Sequence, residues 1–241
     1  MTNWIAHESD NGQEKALFCF PHAGGTAAYF AKWGNVITNM AIMPVQFPMR
    51  EKRIRDKMPD TIQKLAQNFI DENIDLFRER EFSFLGHCSG SIVAYEATKY
   101  LEQRYDISPA SLFVSSCYAP EDYKAPNLST LSNEELLEVI KDSGFVTPEL
   151  IENPLMFEYF APIAKTDFSL QEHYVSNGQE KVNASIIAMY GVEDASLPNK
   201  EFINNWENYV ERNFSIEKFQ GSHFYLEENL EEVAGMLNRY F

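Results

Sequence analysis

The stretch Phe82-Ser83-Phe84-Leu85-Gly86-His87-Cys88-Ser89-Gly90-Ser91-Ile92-Val93 decides how this chain reads. Phe82 to Leu85 is a short apolar run of strand length, and Ser89 to Leu101 has the composition of a helix. Between them stands Gly-x-Cys-x-Gly. A turn this tight forces its central residue into a strained backbone conformation, so the residues two before and two after it must be small. Gly86 and Gly90 meet that condition around Cys88. Centring the turn on Ser89 would put His87 and Ser91 at the small positions, and a histidine there would clash. Cys88 is therefore the expected nucleophile. The amides of the following helix point at it and favour a thiolate and a developing oxyanion.

Outward from this turn, short apolar runs alternate with amphipathic segments, as βαβ units do around a mostly parallel sheet. Strands are expected over 16–20, 41–46, 82–85, 111–115, 184–190 and 214–219, and helices over 26–37, 60–77, 89–101 and 226–240. The fold class expected is an α/β-hydrolase: one domain over 1–241, with a mostly parallel sheet flanked by helices. Residues 118–182 break the rhythm and read as a helical lid over the C-terminal edge of the sheet, where open α/β folds bind ligands. Within it, Ser132-Asn133-Glu134-Glu135 is a capping box, opening a helix that Gly144 ends. Thr147-Pro148 starts another helix, and Pro154 divides that one from a third, over 156–161, which Pro162 should end or kink. A small independent helical domain is the alternative reading of this stretch.

The hydrolase order along the chain is nucleophile, acid, histidine. Gly191-Val192-Glu193-Asp194 follows one late strand, and Gly221-Ser222-His223 follows the last. The expected triad is thus Cys88, Asp194 and His223. Glu193 is a rival acid, and either carboxylate could instead cap a helix near 199–206. The oxyanion hole needs two backbone N–H groups aimed at one point. One is expected from Ser89 and the other from the Pro21-His22-Ala23-Gly24-Gly25 loop.

Composition narrows the partners. A formal net charge of −16 repels nucleic acid and anionic lipid, so neither is an expected partner. Three cysteines with no CxxC pair and five scattered histidines predict no disulfide framework, no metal and a reducing, cytoplasmic setting. The start, Met1-Thr2-Asn3-Trp4-Ile5-Ala6-His7-Glu8, does not read as an export signal. Against the overall charge, Arg50, Lys52, Arg53, Arg55 and Lys57 form a basic cluster. A solvated loop is the favoured reading, and a contact for a phosphate or an acidic protein the other.

Leu17 to Gly25, Val45 to Glu51 and Leu85 to Gly90, with Lys165 to Tyr174 and Gly221 to Leu226, resemble the type II thioesterases, the stand-alone editing enzymes of nonribosomal peptide and polyketide synthesis. The likeness runs from about Lys15 to the end. The resemblance implies an acyl group in thioester linkage to the phosphopantetheine arm of a carrier protein, with no cofactor of the enzyme's own. It implies oxyanion donors at Ala23 and Ser89, and a mobile lid whose apolar residues (Phe145, Leu155, Met156, Phe157, Tyr159, Phe160) suit a chamber wall or plain packing. It also implies hydrolysis that clears stalled carriers, which the basic cluster would help to dock. Two positions depart from the family pattern: Cys88 stands where serine is usual, and Met49 where glycine is. A cysteine acyl-enzyme stays activated, so transfer to an amine is a second expectation. A catalytically inactive carrier-binding module is a third.

Overall fold

A computed structural model of the chain describes residues 3–141, 146 and 148–240. Six parallel strands form one sheet in the order β2-β1-β3-β4-β5-β6. They are β1 (Lys15–Phe20), β2 (Ala41–Pro44), β3 (Glu81–His87), β4 (Ser111–Ser115), β5 (Ser185–Gly191) and β6 (Phe214–Phe219). The helices are α1 (Ile62–Asn73), α2 (Leu76–Glu79), α3 (Ser89–Tyr105), α4 (Asn133–Ile140), α5 (Pro148–Glu152), α6 (Pro154–Glu172), α7 (Tyr225–Glu228) and α8 (Leu230–Leu237). The sheet is an α/β-hydrolase sheet, as the alternation of apolar runs predicts.

Strand alternation builds two cores. Phe18 and Phe20 of β1 face α1 and α3, where they meet Phe69, Phe84 and Ile92. Leu17 and Cys19 face the other way, toward Phe30, Trp33, Val233 and Leu237. Period-two alternation with both faces covered is what a central parallel strand requires. A third cluster joins Leu136, Ile140, Phe157, Ala161, Ala164 and Phe168 of α4 and α6 to Ala23 in the loop after β1. The helices between β4 and β5 therefore pack against the site end of the sheet. The expected capping box is present: Glu135 N donates to Ser132 Oγ (3.1 Å) and Ser132 N to Glu135 Oε2 (2.7 Å). Gly144, Phe145 and Thr147, which the sequence assigns to a helix end, the chamber and a cap, lie outside the described residues.

Several expectations need correction. Residues 26–37 form two short 3₁₀ turns, Ala27–Phe30 and Trp33–Asn35, in place of one helix. Phe30 and Trp33 are both buried, with ring centroids 5.0 Å apart, and a spacing of three residues suits the tighter helix. Residues 200–209 are likewise a 3₁₀ stretch. The last helix breaks at Asn229 into α7 and α8. Pro162 does not end its helix: α6 continues to Glu172. The proline removes the N–H that would reach Glu158, but both residues lie on the exposed face, where water can satisfy the freed carbonyl.

The basic cluster is not a solvated loop throughout. Arg50 is 0% exposed and Arg53 7%. Arg53 lies over the Trp4 ring at 3.8 Å and donates to Gln46 O. Only Lys52, Arg55 and Lys57 of the cluster are exposed. Met49 adopts a φ of +67°, which explains why this position suits glycine. Leu155, Met156 and Tyr159, expected as chamber or packing residues, are exposed, and the Tyr159 hydroxyl accepts from Glu51 N (3.4 Å).

Candidate active site

The turn after β3 has the geometry the glycines predict. Cys88 sits at φ +54°, ψ −127°, outside the regions an L-residue normally occupies. A Cβ on Gly90 would lie 2.6 Å from the Pro21 carbonyl oxygen and closer still to that of Phe20. A Cβ on Gly86 would collide with the Gly90 carbonyl and Ser91 Cα. The turn is held from β4, where Ser115 O accepts from Cys88 N (2.8 Å), and from within, by Ser91 Oγ donating to Gly86 O (2.8 Å). These contacts present Cys88, half-buried, at the first turn of α3.

The loops after β5 and β6 bring the other two residues to it. Gly191 packs against the Ser222 carbonyl, a contact that any side chain at 191 would block. His223 Nδ1 lies 2.9 Å from Asp194 Oδ2, with Asp194 fully buried and His223 3% exposed. Cys88 and His223 line one cavity, and Cys88 is close enough to the imidazole to help hold its charge. Glu193, the rival acid, is exposed, and only its backbone N–H reaches this loop, donating to Gly221 O. Cys88, Asp194 and His223 therefore converge.

Ser196 escapes sequence reasoning. Its Oγ donates to Asp194 Oδ1 (2.6 Å) and lies 3.0 Å from His223 Nδ1; its N–H donates to the same carboxylate oxygen (2.9 Å). Only the Asp-x-Ser spacing, common in ordinary turns, hints at it. His87 is also more than a turn residue. Its ring packs 4.9 Å from that of His223, and its Nδ1 reaches Ser115 Oγ (3.0 Å), itself 2.7 Å from Tyr225 OH. His22 packs on His87 in turn. Burial pushes His22 down to about 3 and His87 well below its usual range, so both present neutral rings behind His223.

His223 behaves oppositely. Burial opposes its charge, but hydrogen bonds to Asp194 and Cys88 outweigh it and raise the imidazole to about 10. Asp194 is held below its usual value: burial pushes it up, and the hydrogen bonds from His223 and Ser196 more than reverse this. The raised histidine has a stability consequence. Its contribution is full below the unfolded value near 6.5 and disappears as pH rises through about 10. The stability gap between wild type and His223→Gln, read by urea unfolding, should therefore narrow steadily from pH 6.5 to 10. A constant gap would contradict a charged His223.

Neither Ala23 N–H nor Ser89 N–H has a hydrogen-bond partner among the described residues, although both residues are at least nine-tenths buried. Beside Cys88 opens a cavity of about 120 Å³, lined by Ala23, Cys117, Tyr123, Ile140, Phe160 and Phe168. Its wall is mostly apolar and comes from the loop after β1, the segment after β4, and the helices α4 and α6. Cys117, expected only as core, forms part of this wall beside Cys88, while Cys19 is plain core. Among the described residues no His, Cys, Asp or Glu cluster is placed to hold a metal ion, and no helix is long and apolar enough to cross a membrane.

Comparison with known proteins bears on this arrangement. The chain is 26% identical over 234 residues to thioesterase PikA5 of Streptomyces venezuelae, covering 96% of this chain and 83% of that protein. It is 29% identical over 238 residues to the phenyloxazoline synthase MbtB of Mycobacterium tuberculosis, but spans only 16% of that protein's length. Among solved structures, RedJ, a thioesterase from the prodiginine biosynthetic pathway of Streptomyces coelicolor, superposes with a TM-score of 0.88 at 27% identity, covering 95% of this chain and 91% of RedJ. The thioesterase domain family model matches residues 15–241, and the chain belongs to that family.

Proposed function

We propose that this chain is a type II thioesterase. It would hydrolyse acyl thioesters on the phosphopantetheine arm of carrier proteins and so clear aberrant acyl groups from nonribosomal peptide or polyketide assembly, through an acyl-enzyme on Cys88. One observation carries the reading: a cysteine on a strained strand-to-helix turn, beside a buried His–Asp pair, opens onto an apolar cavity. Family membership and the likeness to PikA5 and RedJ support the substrate class.

With Nδ1 of His223 engaged by Asp194, Nε2 has already taken the proton of the Cys88–His223 pair, as the raised imidazole requires, when Sγ attacks the carbonyl carbon. The Ala23 and Ser89 N–H groups receive the oxyanion. The substrate's C–S bond then breaks, and the pantetheine thiolate leaves with the proton from His223. Water next attacks the acyl-Cys88, giving its proton to His223. The Cys88 C–S bond breaks, the acid departs, and the proton stays on His223, which restores the starting pair. Helices α4 to α6 act as the lid over the acyl group. Because acyl-Cys88 is itself a thioester, an added amine can compete with water, which gives transfer to an amine as the second reading.

Thiol release from an acyl-pantetheine thioester tests the hydrolase reading. Asp194→Asn should lower kcat by about 10²- to 10⁴-fold with little change in KM, since it leaves the imidazole in the wrong tautomer. Release that survives both Asp194→Asn and His223→Ala would contradict it. The docking idea must exclude the buried Arg53. Reversing Lys52, Arg55 and Lys57 together should raise KM several-fold for a carrier-bound acyl group and spare the free thioester. An equal effect on both would rule out docking at this cluster.

A further inference from the structure

The loop that carries Ala23 is gripped by a buried ion pair from two distant parts of the chain. Arg50, in the segment after β2, places Nη2 2.7 Å from Asp167 Oδ1 and Nη1 2.9 Å from Asp167 Oδ2, a two-point contact with α6. Arg50 Nη1 also donates to Gly25 O (2.7 Å), and Nε donates to Pro48 O (3.1 Å). Asp167 Oδ2 accepts from Gly24 N (2.7 Å). Arg50 is 0% exposed and Asp167 6%. The pair thus holds a donor and an acceptor of the two residues that follow Ala23.

The peptide between His22 and Ala23 is fixed from the other side. Its carbonyl, His22 O, accepts from Gly25 N (2.9 Å). A trans peptide is planar with N–H and C=O opposed, so fixing where His22 O points also fixes where Ala23 N–H points. That direction therefore depends on Gly25, and Gly25 depends on Arg50. Gly24 has φ +72° and sits against the Phe160 ring of α6, so the loop is braced by α6 at both Phe160 and Asp167.

We infer that Arg50 and Asp167 are positioning residues for the oxyanion donor at Ala23, and that through Asp167 the seating of α6 and the aim of that donor are one coupled arrangement. This rests on the thioesterase reading above. A donor out of place slows attack on a carbonyl, where negative charge develops on oxygen, and leaves untouched a reaction of the same sulfur that develops none.

The test compares two reactions of Cys88. One is acylation by an acyl-pantetheine thioester, followed by mass. The other is alkylation by iodoacetamide, in which the S–C bond forms, the C–I bond breaks, iodide leaves and the thiol proton is released; no carbonyl is attacked. Asp167→Asn should slow acylation by about 10- to 100-fold, the scale of a misplaced group, and change alkylation by less than about 2-fold. Arg50→Lys keeps the charge but loses the fork, and should show the same split more weakly. It decides the matter if Asp167→Asn does not fold. Parallel loss of both reactions, or loss of neither, would overturn the inference while leaving the thioesterase reading intact. Wild-type protein that alkylates but never acylates would overturn both.

Discussion

Cys88→Ala should lower kcat/KM for thioester hydrolysis by about 10³-fold or more, because it removes the atom on which the proposed acyl-enzyme forms. The fold should tolerate the change: Cys88 is half-buried, its hydrogen bond to Ser115 is made by the backbone, and alanine is smaller. Cys88→Ser is the more informative partner. The hydroxyl meets the same imidazole and the same pair of N–H groups, so hydrolysis should survive. The intermediate becomes an oxygen ester, which is less reactive toward amines than a thioester. The share of product diverted by an added amine should therefore fall sharply in Cys88→Ser. An unchanged share would mean that the acyl group never rested on residue 88.

Gly90→Ala should be strongly destabilising for a single-methyl change near the site. Its Cβ would meet the Phe20 and Pro21 carbonyls, backbone atoms of a central strand and of the loop that leads to Ala23. Neither can swing aside as a side chain would. Overpacking of this kind costs about 3 kcal/mol or more when the neighbour is rigid. For a chain of this size each kcal/mol is worth about 2–4 °C in Tm, so a fall of about 6–12 °C or failure to fold is expected. Gly235→Ala is the control. Gly235 is exposed in α8, has no left-handed φ and meets nothing within 4 Å. Alanine there should stabilise by about 0.5–1 kcal/mol. Thermal unfolding of both variants checks the pair, and equal melting temperatures would contradict the close approach at Gly90.

The parts of this site that are legible in the sequence are those whose cause is local. The elbow is one, because Gly86 answers to Gly90 and Ser91 within five residues, although Gly90 itself answers to the distant Phe20 and Pro21 carbonyls. The order Cys88, Asp194, His223 is another, since each follows an apolar strand run. The capping box at Ser132 is a third. What is hidden depends on partners far along the chain. Arg50 reads as one charge in a basic run, yet its place is decided by Asp167, 117 residues on. Arg53 is set by Trp4, which no spacing rule connects to it. Pro162 reads as a helix end, but the outcome turns on which face of α6 meets water. Residues 26–37 read as one helix, when the burial of Phe30 and Trp33 at a spacing of three selects a tighter turn. The resemblance to thioesterases rests on segments spread from Leu17 to Leu226, and the family match over 15–241 agrees with that extent.

The central claim is that an acyl group rests on Cys88. Intact mass after incubation with an acyl-pantetheine thioester tests it most directly, with Cys88→Ala alongside. A gain equal to the acyl group in wild type, absent from Cys88→Ala and decaying in water with release of the free acid, is the expected result. Thioester turnover that is as fast in Cys88→Ala as in wild type, with no mass gain in either, would contradict the claim.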